Sequence, residues 1–214
     1  MGRTLVDSVS FYKRTFVNTL SPVFDADPKQ LGDLFTASSG KSLHSQIVAA
    51  AQIGKKEIQD TKKLEQKFWE NLGDFTPLVL PGAKEFLIKL KEKGLKVAVW
   101  SGTRDDVLKK TIEHVSFSPF IDFSIGNRQG SDVFVKGPKL FEVIADHFGL
   151  ITTELAKTCL VIGDGSGDIE AGKRIGARVG GFGNNNKNDT HLSGADFVFQ
   201  TYQELLAKFP QVEG

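Results

Sequence analysis

At 214 residues, 40% hydrophobic and 25% charged, the chain reads as one sizeable α/β domain or a core domain carrying a smaller inserted one, and a disordered tail or fibrous repeat is excluded. Its 27 Lys+Arg against 26 Asp+Glu leave a formal charge of +1, which supplies no field for grasping nucleic acid. The lone cysteine, Cys159, rules out an internally stapled secreted scaffold; no stretch approaches the roughly 18 apolar residues of a membrane helix, and Met1–Ser8 lacks the apolar run of a signal peptide, so a cytoplasmic protein without nucleic-acid or membrane partners is expected.

From Ser8 to Leu72 apolar residues recur at helical steps. Phe11, Phe16, Val17 and Leu20 mark a first segment, which Ser21-Pro22 and Asp27-Pro28 are expected to break. A second runs from Ser42 to Ile53 and a third from Glu57 to Leu72, so this region is expected to be a helical subdomain. Beyond Pro77 the pattern alternates. Helices are expected over Gly82–Lys93, Asp105–Val115, Lys139–Phe148, Ile169–Ile175 and Thr201–Phe209. Buried strands are expected at Lys96–Trp100, Phe120–Ile125, Thr158–Ile162, Arg178–Phe182 and Asp196–Phe199. Such alternation implies a doubly wound parallel sheet with helices on both faces.

In an open parallel sheet, ligands collect where strands end and helices begin. Three such turns carry polar residues. Ser101, directly after a buried strand, offers a hydroxyl, and Gly102, Thr103 and Arg104 follow with accessible backbone N–H groups and a cation; Ser-Gly is also ordinary turn chemistry. Lys136, in Val135-Lys-Gly-Pro-Lys139, can place a positive charge on a phosphate, although most loop lysines are simply solvated. The third turn, Gly163-Asp164-Gly165-Ser166-Gly167-Asp168, sets two carboxylates four residues apart. Asp168 is readable as a helix N-cap, but Asp164 closes a buried strand and needs a partner. Two hard-oxygen ligands beside an open position suit Mg²⁺, which keeps waters and substrate oxygens in its shell.

These turns, in this order, resemble those of the haloacid dehalogenase-like hydrolase superfamily, over roughly Pro77 to Phe209. The resemblance implies a Rossmann-like core over 77–214, an all-helical cap inserted over 9–76, and a remnant of the family's first motif at 1–8. It also implies a Mg²⁺-dependent phosphate-monoester hydrolase acting on a small phosphorylated metabolite. Ser101 would bind phosphate with help from Gly102, Thr103 and Arg104. Lys136 would neutralise it, with Lys139 as a substitute, and Asp164 and Asp168 would hold the metal. A phosphomutase and a catalytically inactive phosphate- or partner-binding relative remain alternatives; a metal-free dehalogenase sits poorly with the Asp164–Asp168 turn. Phe11, Tyr12, Lys41 and His44 are candidate cap residues near the substrate, whose identity and the oligomeric state are not legible.

The family's first motif reads strand-Asp-x-Asp-Gly-Thr-Leu-Val-x-Ser. Thr4–Ser8 matches its tail, which registers Arg3 on the glycine and Gly2 on the acid/base aspartate, and puts the nucleophilic aspartate one place before Met1. The strand that carries this motif runs between those represented here by Lys96–Trp100 and Thr158–Ile162. Without it, each unsatisfied ladder group costs on the order of 1–3 kcal/mol. Either those strands pair directly, or another segment or subunit fills the gap, or a longer natural chain supplies the strand. The well-kept tail favours the last.

Overall fold

The computed structural model describes residues 1–38, 41–73, 77–127, 138–183 and 192–208. Its contacts divide the chain into two units, Ser8–Pro77 and the pair of segments Met1–Asp7 with Leu78–Gly214.

The first unit holds α1 (Val9–Phe24), α2 (Pro28–Ala37), α3 (Leu43–Ile53) and α4 (Thr61–Leu72). Three of them start on side-chain caps. Asp27 Oδ1 accepts from the N–H groups of Lys29 and Gln30, Ser42 Oγ from Ser45, and Asp60 Oδ1 from Lys63. The apolar stripes meet in a core of Phe16, Leu20, Phe24, Leu31, Ile47 and Phe68. Contrary to the sequence expectation, Pro22 does not break α1 but lies inside it. It falls in the last turn, where a missing N–H disturbs little of the helix, and the chain leaves only at Asp25, which takes a left-handed φ of 52° with its N–H on Ser21 O.

The second unit opens with a two-residue antiparallel ladder, β1 (Val6–Asp7) against β2 (Leu78–Val79), which pairs the chain on either side of the helical unit. It continues with α5 (Ala83–Glu92), β3 (Ala98–Arg104), α6 (Asp105–His114), β4 (Phe123–Asn127), α7 (Pro138–His147), α8 (Thr152–Thr158), β5 (Leu160–Gly163), α9 (Ser166–Arg174), β6 (Arg178–Phe182), β7 (Phe197–Phe199) and α10 (Tyr202–Lys208). This is the α/β, Rossmann-like order with a helical insert. β3 pairs with β4, and β5 with β6 and β6 with β7, all parallel. Period-two alternation sends Val97 and Val99 into one cluster with Leu87, Leu108, Phe117 and Tyr202. Ala98 and Trp100 pack against another built from Ile125, Phe141, Ile144, Val161 and Val179. Among the described residues β3 and β5 do not pair with each other, so direct closure of the gap between them is not what the chain adopts.

Two aspartates brace the amino ends of the strands. Asp122, just before β4, accepts from Val97 N–H at 2.8 Å and from Lys91 Nζ at 2.9 Å. Burial alone would push its carboxyl up, but Lys91, the Val97 N–H and Lys96 outweigh it and hold it below the usual range. Asp196, just before β7, repeats the device with Lys173 at 2.5 Å and Val179 N–H at 2.7 Å. Its carboxyl is likewise held down, first by the Lys173 hydrogen bond and then by the N–H. Among the described residues no helix is long and apolar enough to cross a membrane.

Candidate active site

The opposite, carboxyl ends of the strands gather a different set of groups. β5 stops at Gly163, Asp164 follows, and Gly165 caps α9 from an extended conformation. Asp168 is therefore not the N-cap expected from sequence. The helix begins two residues earlier, at Ser166, with an extended Gly165 in the cap position and its carbonyl accepting the Asp168 N–H at 3.0 Å. Asp168 stands instead in the first turn, where the helix dipole favours a carboxylate. Its side chain folds back over the strand end. A Cβ on Gly163 would lie 2.1 Å from Asp168 Cβ, so only glycine lets the two approach. One turn on, a Cβ on Gly172 would meet Val179 at 2.6 Å, and its absence lets α9 lie close on the sheet.

Asp164 is half-buried, and its Oδ1 accepts a hydrogen bond from Thr4 Oγ1 at 3.2 Å. Burial, then the charge of Asp168, pushes its carboxyl above the usual range, while the Met1 ammonium, Arg3 and the Thr4 hydroxyl pull it back. The buried Tyr202 hydroxyl donates to the Thr4 carbonyl. Its phenol is pushed up, by burial first and then by the negative charge of Asp164. Thr4 and Tyr202 are thus a support for Asp164 that sequence reasoning missed. Tyr202 stands 198 positions from Thr4 and has no local pattern to announce it, whereas Thr4 was visible as a motif residue but not as a carboxylate partner.

Ser101 lies in β3, at the end where the register with β4 shifts between Trp100 and Arg104. Its Oγ accepts the Thr103 N–H at 3.2 Å, an ST-turn that leaves the hydroxyl proton for another acceptor. Arg104 Nε donates to Asp106 Oδ1 at 2.9 Å, with a second contact from its terminal nitrogen to the other oxygen. That hydrogen bond is the main reason the Asp106 carboxyl is held low. Asp105 accepts from Gly126 N–H at 2.8 Å and so ties the start of α6 to β4. Met1 links the two strand ends: its ammonium donates to Trp100 O at 3.1 Å and acts on Asp164. Arg3, at the motif's glycine position, takes the left-handed φ of 58° that a glycine would take freely.

Lys136, with Val135 and Gly137, lies outside the described residues. Lys139, on α7, is exposed. In the helical unit His44 Nδ1 stands 3.1 Å from Glu65 Oε1, and Tyr12 packs against Phe68 and Trp69. The Cys159 thiol is half-buried and pushed up by that burial, in keeping with a small apolar side chain rather than a nucleophile.

The sequence profile of the haloacid dehalogenase-like hydrolases matches residues 4–176. The chain belongs to that family. Among curated proteins, a phosphoglycolate phosphatase of Aquifex aeolicus (strain VF5) is 34% identical over 90 residues, 42% of this chain; the match spans 40% of that relative's length. Among solved structures, a predicted phosphoglycolate phosphatase from Haemophilus somnus 129pt superposes with a TM-score of 0.78 at 21% identity, covering 97% of this chain and 93% of that one. A β-phosphoglucomutase from Clostridium difficile gives 0.75 at 18% identity, covering 97% and 91%. At such identities these structures speak for the haloacid dehalogenase-like fold alone.

Among the described residues no group of three or more His, Cys, Asp or Glu could enclose a metal. Asp164 and Asp168 offer carboxylate oxygens only. That set fits a hard divalent cation that keeps most of its own waters and excludes the soft-ligand metals.

Proposed function

We propose that the core unit binds Mg²⁺ and the phosphate of a small phosphorylated metabolite, as the site of a phosphate-monoester hydrolase. The supporting observation is the Asp164 carboxyl, raised by burial and by Asp168 at the end of β5. Two carboxylates held against one another at a buried strand end are costly until a cation joins them. Asp164 and Asp168 would hold that cation, which would supply charge neutralisation to a phosphoryl group. Thr4 fixes the orientation of Asp164 through its hydroxyl, and Tyr202 fixes Thr4 through its carbonyl. Ser101 donates its remaining proton to a phosphoryl oxygen, and the Gly102 N–H is available beside it. Lys136, or Lys139 in its place, supplies a further positive charge. Arg104 reaches the phosphate only by leaving Asp106.

The family resemblance assigns attack on phosphorus to an aspartate and proton transfer to a second aspartate two places later. Registered on Thr4–Ser8, the second place is Gly2, which has no side chain to move a proton. Gly2 is the specific observation that favours the other reading, a phosphate-binding relative without turnover. The relatives named for phosphoglycolate direct the first substrate panel to small phosphorylated carboxylates.

Calorimetric titration of the 214-residue protein with inorganic phosphate, in the presence and absence of Mg²⁺, tests the site. Phosphate affinity should rise with Mg²⁺, and both Asp164→Asn and Asp168→Asn should weaken the Mg²⁺-dependent part at least 100-fold. Equal phosphate binding by all three proteins would overturn the proposal. Phosphate release across the panel, lost in Asp164→Asn, would establish the hydrolase; binding without release would establish the binder.

A further inference from the structure

Asn127 closes β4 at its carboxyl end, and its side-chain Oδ1 is buried without a hydrogen-bond donor among the described residues. Such an acceptor is costly, because folding strips its water and returns nothing. Its neighbour across the ladder is Arg104. Trp100 pairs with Ile125 and Arg104 with Asn127, four steps along β3 against two along β4, so the slip at Ser101–Thr103 still returns Arg104 to the side of Asn127. The chains run close there: a Cβ on Gly126 would lie 2.9 Å from the Arg104 carbonyl carbon. Paired strands stand about 4.8 Å apart, a gap that an arginine side chain spans.

Arg104 is seated elsewhere, on Asp106, through Nε at 2.9 Å and through a terminal nitrogen on the other oxygen. The two side chains are 35% and 54% exposed, and an open ion pair of this kind contributes little. It also quenches the charge that an incoming anion would use. An amide oxygen acts differently. Asn127 Oδ1 would take one N–H and leave the guanidinium its full charge and its remaining donors. Burying that charge beside a neutral amide is unfavourable by itself, so this seat fills only when an anion comes with it. We propose that Arg104 has two seats, Asp106 in the ligand-free protein and Asn127 once phosphate arrives beside Ser101. Asn127 is then the positioning residue that aims the guanidinium, and the phosphate takes the guanidinium's other edge in a two-pronged contact. The inference rests on the phosphate reading of the core unit and adds the switch that admits the ligand.

The test uses the 214-residue protein with Mg²⁺ present and inorganic phosphate as the probe. Asn127→Leu replaces the unsatisfied acceptor by an apolar group of similar size and should weaken phosphate about tenfold. Arg104→Gln should lose at least as much, and adding Asn127→Leu to it should cost nothing further, because the two act as one unit. Asp106→Asn removes the competing seat and should tighten phosphate about two- to fivefold, a gain that vanishes when Asn127→Leu is also present. The Arg104 Nε–H resonance gives a signature that a merely structural role would not move: phosphate should shift it in the unaltered protein and not in Asn127→Leu. Without ligand, Asn127→Leu should leave the urea midpoint in place or raise it, which separates lost binding from misfolding. Three results would overturn the switch: phosphate affinity unchanged by Asn127→Leu, losses that add in the double variant, or a lowered urea midpoint, which would mean that Oδ1 already has a donor such as a bound water. Each of these leaves the phosphate reading standing as long as the unaltered protein binds phosphate. Absence of phosphate binding in every protein would sink both.

Discussion

Asp122 and Asp196 at the amino ends of the strands, and Asp164 and Asp168 at the carboxyl ends, are the same residue type put to opposite uses. Each of the first pair receives a lysine and a backbone N–H from the neighbouring strand, and both carboxyls are held below the ordinary range. Asp164, set against another carboxylate, is pushed above it. The amino-end aspartates are satisfied by the protein itself and act as braces. At the carboxyl ends a second carboxylate, Asp168, works with burial to raise Asp164 against the opposing pull of the Met1 ammonium, Arg3 and the Thr4 hydroxyl. The contrast follows from local chemistry: lysines on α5 and α9 reach the amino ends, while Gly163 lets a second carboxylate in at the carboxyl end.

Four substitutions sharpen that contrast. The largest effect is expected from Gly163→Ala, whose Cβ would force Asp168 off the strand end. It should abolish the rise in melting temperature on adding Mg²⁺, which for the unaltered protein at 100 times Kd corresponds to about 2.7 kcal/mol. Gly165→Ala, whose Cβ would come no closer than 3.7 Å to Asp168 Oδ2, should keep it. Should both retain the Mg²⁺ response, Asp168 is not part of the cation site. Next comes Asp122→Ala, which strips a charged acceptor from Val97 and Lys91 and should cost about 1.5–3 kcal/mol by urea denaturation at neutral pH. Because the folded carboxyl titrates below its unfolded value of 3.8, this stabilisation is present above that pH and fades as pH falls through the folded value. The two urea curves should therefore converge in acid. The smallest effect belongs to Asp196→Asn, at a solvent-open site. It should move the midpoint less than Asp122→Ala does, and a larger shift would mean the two braces are not equivalent.

Much of the fold was legible because its signals are short-range. Lys96–Trp100 and Arg178–Phe182 are apolar runs fenced by glycines, and Gly163–Asp168 announces itself by composition. Other features depend on what lies far along the chain. The β1–β2 ladder is two residues long and exists only because the segments flanking the helical unit meet. The seven residues of α8 are too few for a periodic pattern. Pro22 misled because its effect depends on position within the helix. In the site, Asp164 and Asp168 were visible as an unusual spacing, but the support from Thr4 and Tyr202 was not, and the cap position fell to Gly165, with Asp168 in the first turn of the helix.

The bond from Tyr202 to Thr4 also bears on the order in which the molecule assembles. It joins the second turn-forming residue after Gly2 to the first residue of the closing helix, so a ribosome must deliver nearly everything between before Asp164's support is complete. The contiguous helical unit, Ser8–Pro77, is free to mature during that wait. Closing so long a loop adds little entropy beyond that of a shorter one, since the penalty grows only with the logarithm of length. The carboxyl end of β5, with Asp164, is thereby expected to be among the last parts of a newly made chain to settle.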